Sequence, residues 1–562
     1  MPSATRHCII GLVASLVTAL AVPALAASTA AAASAASAAS DRGTGIGTAA
    51  ALDGPSCDRS SGLVLIPPPF EVPCVRPFQP ADDNGGATAP GVTATTIKVV
   101  IVTPAQQDVD LYHQVHGYAW PYNAASGSFG TWEDAARDMS APFAHLLSGW
   151  GRKAEFETYQ STGHDEAAQR ADALAIAQRH PFAVFMTSGD RVLETELANH
   201  KIVVFGGATN KEAAAQAPYR WGSASSDATA QAINEGEFVA KSLVGRKAQW
   251  AGDPAFRDET RRFGVVYPEP ASRQDFDIAD FNHTLARYKG GTVQLEIPYT
   301  DKNFATDWIA YTQEVAPTII TKLKQARVNN VILFTEVDLT REMLHAATLQ
   351  NYRPEWTMSA FGSVDYNAFA RGFDQSQWEH AFGIGGSLVA VDGAAQVTNL
   401  FDWYWGRGRA TTSALLVGAM LLFYQGVHMA GPDLTAEHFR DGVFALPHIG
   451  GAAVGAVTTE EEAYGRIAGL PRAEYATVGL DATLEWWSPD AELPGGTWGF
   501  VTEPGTGNYY LVDAAKRYHA GTWPNGPVKF FDTSAAIVAV EHPAPADIEP
   551  RVACHGCPSQ NS

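Results

Sequence analysis

One short Ser-Gly turn has residues suited to holding a small charged group. Ser188 and Gly189 follow the apolar run 182–186, which is predicted to be a strand, and precede a helical segment at 191–199. The first N–H groups of a helix carry partial positive charge, so this turn is a candidate anion site. A structural interpretation stands beside it, in which Ser188 or Asp190 only caps the helix.

A polar and aromatic loop follows the strand predicted at 97–102. It begins with Gln106 and Gln107, whose amides can hydrogen-bond a ligand, and its aromatic stretch at 112–122 can stack on a ring or a sugar. A self-packed surface loop is the alternative. His113 and His116 have metal-ligand spacing, but no third ligand is identifiable in the sequence, so neither a metal nor a cofactor is predicted.

Motifs of familiar enzyme chemistry are missing from the sequence. It has no Gly-x-Ser-x-Gly elbow, no His-Glu-x-x-His zinc motif, no phosphate-binding loop and no calcium loop. Adjacent carboxylates occur at Glu460–Glu462, on a predicted surface helix where a solvated face is the default. We therefore expect no catalytic residues, while an unfamiliar active site stays open as an alternative.

The N-terminus has the order of a secretory signal. Arg6 supplies positive charge, an apolar run extends from Ile9 to Val22, and the small residues that follow predict cleavage near Ala26. Cys8 precedes the apolar run instead of following the cleavage point, so we expect a secreted protein without a lipid anchor. The net charge of −21 argues against a nucleic-acid partner, because no excess of Lys and Arg is available for phosphates.

The remaining cysteines are Cys57, Cys74, Cys554 and Cys557. An even number in an exported chain favours disulfides, although the pairing is not fixed by sequence. We favour Cys57–Cys74, which closes a short Pro-rich loop, together with Cys554–Cys557. A redox or metal motif at the C-terminal pair is one alternative, and a zinc site that uses all four cysteines is another.

Short apolar segments alternate with helical ones in two consecutive series. The first series of strands is predicted at 97–102, 155–160, 182–186 and 202–205, and the second at 263–267, 293–297 and 331–334. Such alternation indicates parallel β-α units, so the predicted fold class is α/β, with two doubly wound Rossmann-like lobes. The very apolar stretch 411–430 contains too short an apolar run to span a bilayer, and a buried helix is expected.

Composition and this alternation predict a series of segments along the chain. They are a signal peptide at 1–26, an Ala- and Ser-rich linker at 27–56, a Pro- and Gly-rich disulfide arm at 57–90, lobe 1 at 91–225, lobe 2 at 226–410, a return to lobe 1 at 411–475, closing β segments at 476–540 and a Cys-containing tail at 541–562.

Five short segments occur in an order typical of one known family. They are Pro90–Val99, Gly207–Asn210, Tyr219–Asp227, Tyr424–Thr435 and Leu484–Trp486 with the downstream Tyr509–Val512. In this order the chain resembles the branched-chain-amino-acid-type substrate-binding proteins of ABC transporters, over residues 90 to about 520. The resemblance implies the type 1 periplasmic-binding fold, in which two parallel-sheet lobes joined by crossover hinges close on a ligand at the carboxyl ends of their strands.

The resemblance also implies roles for residues of the first lobe. The hydroxyl of Ser188 and the N–H of Gly189 would bind a ligand carboxylate. The carbonyl of Ala208 and the hydroxyl of Thr209, after the next strand, would hold the amino group and the carboxylate of an amino acid. A plain Gly-rich strand exit is the alternative at 207–210.

The second lobe departs from the family pattern. Tyr267 is followed by Pro268, where members that bind amino acids place Tyr before Gly. They also carry Glu after the fourth strand, where this chain has Ala360–Gly362. Glu336, after the preceding strand, is the candidate replacement, and a solvated loop acid is the alternative. These differences leave the ligand class open, because a buried ammonium needs a carboxylate partner.

Together these features predict an extracellular solute-binding protein. It would act as a monomer that captures a small polar solute, such as an amino acid or amide, for the membrane permease of an ABC-type transporter, with no enzymatic activity of its own. A secreted enzyme on the same scaffold is one alternative. A ligand-sensing or cell-wall interaction protein is another.

Overall fold

Two lobes make up the part of the chain that the structure, a computed structural model, describes. The described residues are 42–66, 71–110, 131–206, 216, 218–222, 227–273, 276–302, 307–386, 397–405, 414–447, 464–465, 479–491, 507–534 and 536–538. Each lobe is built on its own sheet of parallel strands. Apolar clusters lie on both faces of each sheet, so the predicted doubly wound α/β class is confirmed.

An N-terminal arm, residues 42–92, packs against lobe 1. It contains helix α1 (Ala49–Leu52) and an antiparallel hairpin of β1 (Cys57–Asp58) and β2 (Leu63–Val64). The predicted disulfide between Cys57 and Cys74 is present, with the two Cα atoms 5.7 Å apart. Apolar arm side chains belong to the lobe 1 core, so the disulfide fixes a segment that is part of this lobe.

Lobe 1 contains five parallel strands in the order β4-β3-β5-β6-β7. Its elements are β3 (Thr96–Thr103), α2 (Trp132–Leu146), β4 (Lys153–Gln160), α3 (Glu166–Ala177), β5 (Ala183–Met186), α4 (Arg191–Asn199), β6 (Val203–Gly206) and β7 (Arg220–Gly222). Because all five strands run in parallel, their carboxyl ends lie along one edge of the sheet.

The β-branched run of β3 explains why this strand lies at the centre of the lobe. Val99 and Ile101 point into the apolar cluster shared with α2 and the arm, and Val100 and Val102 point into the cluster shared with α3 and α4. All four side chains are fully buried. Stiff branched side chains suit a strand that is covered on both faces, and the strand in turn fixes where its polar carboxyl end emerges.

Lobe 2 repeats this plan with parallel strands in the order β9-β8-β10-β11-β12. Its elements are α5 (Ala228–Phe238), a π-helical turn (Val239–Leu243), α6 (Pro254–Arg257), β8 (Phe263–Pro268), α7 (Ile278–Arg287), β9 (Leu295–Tyr299), α8 (Trp308–Gln325), β10 (Asn330–Leu333), α9 (Val337–Leu349), β11 (Glu355–Met358), α10 (Asn367–Ala370), α11 (Gln375–Trp378) and β12 (Ala381–Gly385). In both lobes the first strand pairs with the second and third, and the later strands follow in sequence order.

The chain then returns to lobe 1 and finally closes the sheet of lobe 2. The remaining elements are α12 (Val397–Trp405), α13 (Ala414–Ala430), α14 (Ala436–Phe444), β13 (Asp481–Ser488), β14 (Asn508–Leu511), β15 (Arg517–His519) and β16 (Ile537–Val538). The helices contribute to the lobe 1 core, and β13 pairs antiparallel with β12. Among the described helices, none combines the length and the apolar character needed to span a bilayer.

Three crossovers therefore connect the lobes, after β7, after β12 and before β13. A buried polar network in lobe 2 anchors them. Arg517 pairs with Asp481 at 2.9 Å and donates to the Gly386 carbonyl at 3.3 Å, and the Gly386 N–H donates to Asp365 at 2.8 Å. The Asp227 N–H donates to the carbonyl of Gly479 at 3.2 Å, which ties the first crossover to the third.

Two segment boundaries differ from those the sequence predicts. The linker is expected to extend to residue 56, but Thr44 is fully buried and Arg42 donates to the Met429 carbonyl at 3.4 Å, so the described chain is folded from residue 42 onward. The return to lobe 1 is expected at 411, but Leu400 and Phe401 already lie in the lobe 1 core. The composition of a segment shows which residues are small or apolar, but it does not show which surface they pack against. The two boundaries therefore could not be placed from composition.

Candidate functional site

The turn after β5 is held at the carboxyl edge of lobe 1 by β3. Thr187 donates from its hydroxyl to the Val102 carbonyl at 2.7 Å. Ser188 follows, half-buried, and its hydroxyl donates to the carboxylate of Asp190. Asp190 is the N-cap residue of α4, but its side chain makes no capping hydrogen bond. The interpretation in which this turn only caps the helix is therefore not supported.

A His-Asp pair joins the turn after β4 to the start of α4. The His164 Nδ1 atom lies 2.8 Å from Asp190 Oδ1, and the Asp190 side chain is 3% exposed. Gln169 holds both segments, since it donates to the His164 carbonyl at 2.7 Å and accepts from the Leu193 N–H at 3.1 Å. Contacts within lobe 1 therefore orient the polar groups of this edge.

The two predicted glutamines after β3 lie in different surroundings. Gln106 is exposed and donates to Asp110 at 2.8 Å, which directs its amide along the surface. The Gln107 amide nitrogen lies close to Gly163, in the turn after β4. A Cβ atom added to Gly163 would lie 3.4 Å from this nitrogen. Asp108, the next residue in the chain, is half-buried, and loss of solvation raises the pKa of its carboxyl, with Asp190 adding to the effect and His164 opposing it.

Glu336 lies at the carboxyl edge of lobe 2, where it caps α9. Its carboxylate accepts from the N–H groups of Asp338 at 2.8 Å and Leu339 at 2.6 Å. Burial raises the pKa of Glu336 well above its ordinary value, and the neighbouring carboxylates of Asp338 and Asp301 raise it further. A protonated Glu336 could donate a hydrogen bond to a ligand, and an ionised one could hold a cation.

Tyr267 is held within its own lobe. Its hydroxyl lies beside Glu296 on β9, and its ring lies 6.3 Å from that of Phe276. Loss of solvation and the Glu296 carboxylate both raise the pKa of the Tyr267 hydroxyl. The structure thus gives this hydroxyl an intralobe partner and does not bring it together with Ser188.

An arginine that the sequence analysis did not select connects the two lobes. Arg191, at the start of α4, donates to the Ser272 carbonyl at 3.0 Å and lies 3.6 Å from the carboxylate of Asp301. Ser272 follows β8 and Asp301 follows β9, so the carboxyl edges of both sheets meet at this point. One feature of the sequence points to this residue, namely a cation in the first turn of a predicted helix. A cation there interacts unfavourably with the helix dipole, so a contact outside the helix is expected.

Several predicted residues lie outside the described residues. They are Ala208, Thr209, Cys554, Cys557 and the aromatic loop with His113 and His116. Within the described ranges, no group of three or more His, Cys, Asp or Glu side chains has the proximity needed to hold a metal ion.

A surface pocket of about 530 Å³ occurs elsewhere on lobe 1. Phe78, Asp82 and Asp83 of the arm line it together with Gly151, which precedes β4. These positions lie at the amino edge of the sheet, opposite the edge where Ser188 and His164 emerge. Asp82 is paired with Arg76, and Asp83 accepts from Gly85, so the acids lining the pocket already have partners within the arm.

Comparison with known proteins finds structural likeness to solved solute-binding proteins, at low sequence identity. No family model and no curated protein matches the chain. A solved solute-binding protein of an ABC transporter from R. palustris, in complex with 4-hydroxybenzoate, is 13% identical, with TM-score 0.46 over 76% of this chain and 98% of that chain. A leucine-, isoleucine-, valine-, threonine- and alanine-binding protein from Brucella ovis is 10% identical, with TM-score 0.47 over 77% and 99%.

A substrate-binding protein of an ABC transporter from Aeropyrum pernix is 12% identical, with TM-score 0.48 over 76% of this chain and 96% of that chain. At such identities and TM-scores these likenesses carry no argument about ligand or function. The fold class of this chain rests on its own strand order, which is the same in both lobes.

Proposed function

We propose that this chain is an extracellular solute-binding protein that captures a small polar solute between its lobes for an ABC-type transporter. The contact of Arg191 with Ser272 and Asp301 carries the proposal, because it brings the carboxyl edges of two parallel sheets together. Ligands of open α/β sheets bind at this edge. A solute held from both sides favours the closed form by its extra contacts there.

Polar groups on the two edges define the class of solute that we propose. On lobe 1, Ser188 and Gly189 at the start of α4 would accommodate a carboxylate or another acceptor. On lobe 2, Glu336 would accept from an ammonium or amide group. An amino acid, an amide or a related compound presents both kinds of group. Ala208 and Thr209 complete the proposed first-lobe site, and Gln107 lines its mouth.

An enzyme on the same scaffold is the competing interpretation, and one constellation bears on it. Ser188, Asp190 and His164 are neighbours, as in a hydrolytic triad. The Ser188 hydroxyl, however, donates to Asp190, and His164 also faces Asp190. A serine nucleophile needs a base that accepts its proton directly, and here the acid stands between the two groups. This geometry supports binding over nucleophilic catalysis.

Substitution of Ser188 tests the proposed site. Once a solute is identified from a panel of amino acids, amides and aromatic acids, Ser188→Ala should weaken its binding about tenfold, the effect of one hydrogen bond to a charged group. Isothermal titration calorimetry measures the change. Ser534→Ala is the matched control, because it removes a Ser–Asp side-chain hydrogen bond of the same i, i+2 spacing on the exposed surface, between Ser534 and Asp532. Equal affinities for all three proteins would exclude Ser188 from the site.

We also propose export by the N-terminal signal and action as a secreted monomer with a membrane permease as partner. Removal of the signal near Ala26 would release a chain without a lipid anchor. N-terminal sequencing of the protein from culture medium should begin near Ala27. An unprocessed terminus in an intracellular protein would contradict the proposed location.

A further inference from the structure

The position of Arg191 needs an explanation that lies outside its own helix. It occupies the first residue of α4, where the helix dipole is positive and a cation is disfavoured. Its side chain is 30% exposed and reaches away from lobe 1, to the Ser272 carbonyl and the Asp301 carboxylate. The contacts that offset this unfavourable position are therefore made with the other lobe.

Lobe 2 presents its acceptors to Arg191 in a prearranged form. Asp301 is 2% exposed in its side chain, and Arg273 of the same lobe holds its carboxylate at 3.1 Å. The Asp301 N–H donates to the Ser272 hydroxyl at 2.8 Å, and that hydroxyl donates to the Glu269 carbonyl at 3.0 Å. The Asp301 carboxylate and the Ser272 carbonyl are thus fixed relative to each other by contacts within lobe 2, and binding Arg191 requires little further ordering.

We infer that Arg191 is a latch that stabilises the closed arrangement of the lobes in the absence of solute. The latch closes when the Arg191 guanidinium engages Ser272 and Asp301, and it opens when the lobes separate and water solvates both partners. The inference deepens the proposed function, since a larger closed population before binding raises apparent affinity for the solute. Arg191 acts here as a positioning residue and not as a contact of the solute.

The strength of the latch should depend on salt. Arg191 is partly exposed, and its 3.6 Å separation from Asp301 is a charge contact without the geometry of a direct hydrogen bond. One charge-assisted hydrogen bond and one charge contact that is exposed only on the Arg191 side should change the ratio of open to closed molecules about five- to tenfold. Raising ionic strength from about 0.1 M to about 1 M shortens the Debye length from about 10 Å to about 3 Å and should weaken the charge contact.

Spin-label distances measured without any solute test the latch. Leu174 on lobe 1 and Leu349 on lobe 2 are 52% and 70% exposed, so Leu174→Cys and Leu349→Cys give one label per lobe of the secreted protein, in a Cys554→Ser, Cys557→Ser background. Double electron–electron resonance should show a longer interlobe distance population in Arg191→Ala than in the parent protein. Arg170→Ala is the matched control, because its ion pairs with Glu166 and Glu196 stay within lobe 1.

Two further measurements keep the test decisive. Arg191→Lys retains the charge but loses the forked geometry, so its distance distribution should lie between those of the parent and Arg191→Ala. High salt should lengthen the distance in the parent and leave Arg191→Ala unchanged. Superimposable distributions for the parent and Arg191→Ala would overturn the latch. Because no solute is present, that result is separate from failure of the proposed function, which would appear as an absence of solute binding in a closed protein.

Discussion

Glu235 is an acidic side chain buried without compensation. It is fully buried on α5, and neither carboxylate oxygen has a hydrogen-bond partner among the described residues. Burial raises the pKa of Glu235 well above its ordinary value. Since the folded protein holds this proton more tightly than the unfolded chain, stability is lost as pH rises from the unfolded pKa through the folded one.

Replacing Glu235 by methionine should therefore stabilise the protein. Glu235→Met keeps the length and helix propensity of the side chain, removes the buried acid, and should raise the free energy of unfolding by about 1–3 kcal/mol at pH 7. Urea unfolding from pH 5 to pH 8 should show a flatter pH dependence than in the parent. Glu237→Met, two residues further along the same helix, is the control and should destabilise, because Glu237 accepts from Gly521 and Lys241.

His428 joins three parts of lobe 1 through its uncharged ring. Its Nδ1 accepts from the Ser148 N–H at 2.7 Å, and its Nε2 lies 2.9 Å from the Pro73 carbonyl in the arm. Burial lowers the pKa of His428 to about 4, from an ordinary value of 6.5. Stability from the neutral ring is therefore complete above pH 6.5 and is lost as pH falls toward 4, by up to about 3 kcal/mol.

His428→Gln tests this origin of acid sensitivity. The variant keeps a donor for Pro73 but loses the acceptor for Ser148, so it should be less stable than the parent by about 1 kcal/mol at pH 8. Its urea midpoint should fall less steeply on acidification, so the two curves should cross near about pH 6, and the variant should be the more stable protein at about pH 4.5. His380 also has a pKa lowered by burial to about 4, but it titrates in both proteins and cancels in the difference. Parallel curves would refute the assignment.

At the level of residues, the sequence predicted the positions of turns better than the contacts between side chains. The turn at Ser188 and the disulfide between Cys57 and Cys74 could be predicted because chain order and spacing carry that information. The partners of Tyr267 could not, because Glu296 is distant in sequence and meets it only across paired strands. Arg191 was missed for the same reason, since its partners belong to the other lobe.

At the level of elements, the periodicity of apolar residues predicted most strands and helices of the two lobes. The predicted helix at 191–199 coincides with α4, and the buried helix expected at 411–430 contains α13. Boundaries set by long-range packing were harder to predict. α12 packs on lobe 1 although its sequence adjoins lobe 2, and only the tertiary contacts of Leu400 and Phe401 reveal it.

The buried pair of Arg517 and Asp481 gives a test at this scale. The guanidinium side chain is 1% exposed and holds the second crossover through Gly386, so Arg517→Met leaves Asp481 buried and without this cation. Loss of one partner of a buried pair should lower the free energy of unfolding by about 3 kcal/mol. Thermal unfolding measures the loss, and the double variant Arg517→Met, Asp481→Asn should recover part of it.

An exposed pair provides the comparison for this test. Arg59 and Asp53 are 68% and 55% exposed in their side chains, so Arg59→Met should change stability by less than about 0.5 kcal/mol. Equal effects of Arg517→Met and Arg59→Met would contradict an anchoring role for the buried network.

At the level of the whole molecule, the repeated strand order gives two similar lobes whose carboxyl edges meet. Both sheets follow the same pattern, and three crossovers join two lobes that each have their own apolar core. The arm and its disulfide pack on the core of lobe 1, and no described arm residue takes part in the contact of Arg191 with lobe 2, so the arm can stabilise lobe 1 without restricting closure. This division into two separately packed lobes suits the proposed reversible capture of a solute.

The central claim is that a small solute binds between the lobes, and native mass spectrometry of the protein purified from its own culture medium tests it most directly. We predict a co-purifying small molecule, and a dose-dependent rise in melting temperature when that compound, or one of a panel of amino acids, amides, sugars and aromatic acids, is added back. A protein free of bound solute whose melting temperature is unchanged across the whole panel would contradict the account.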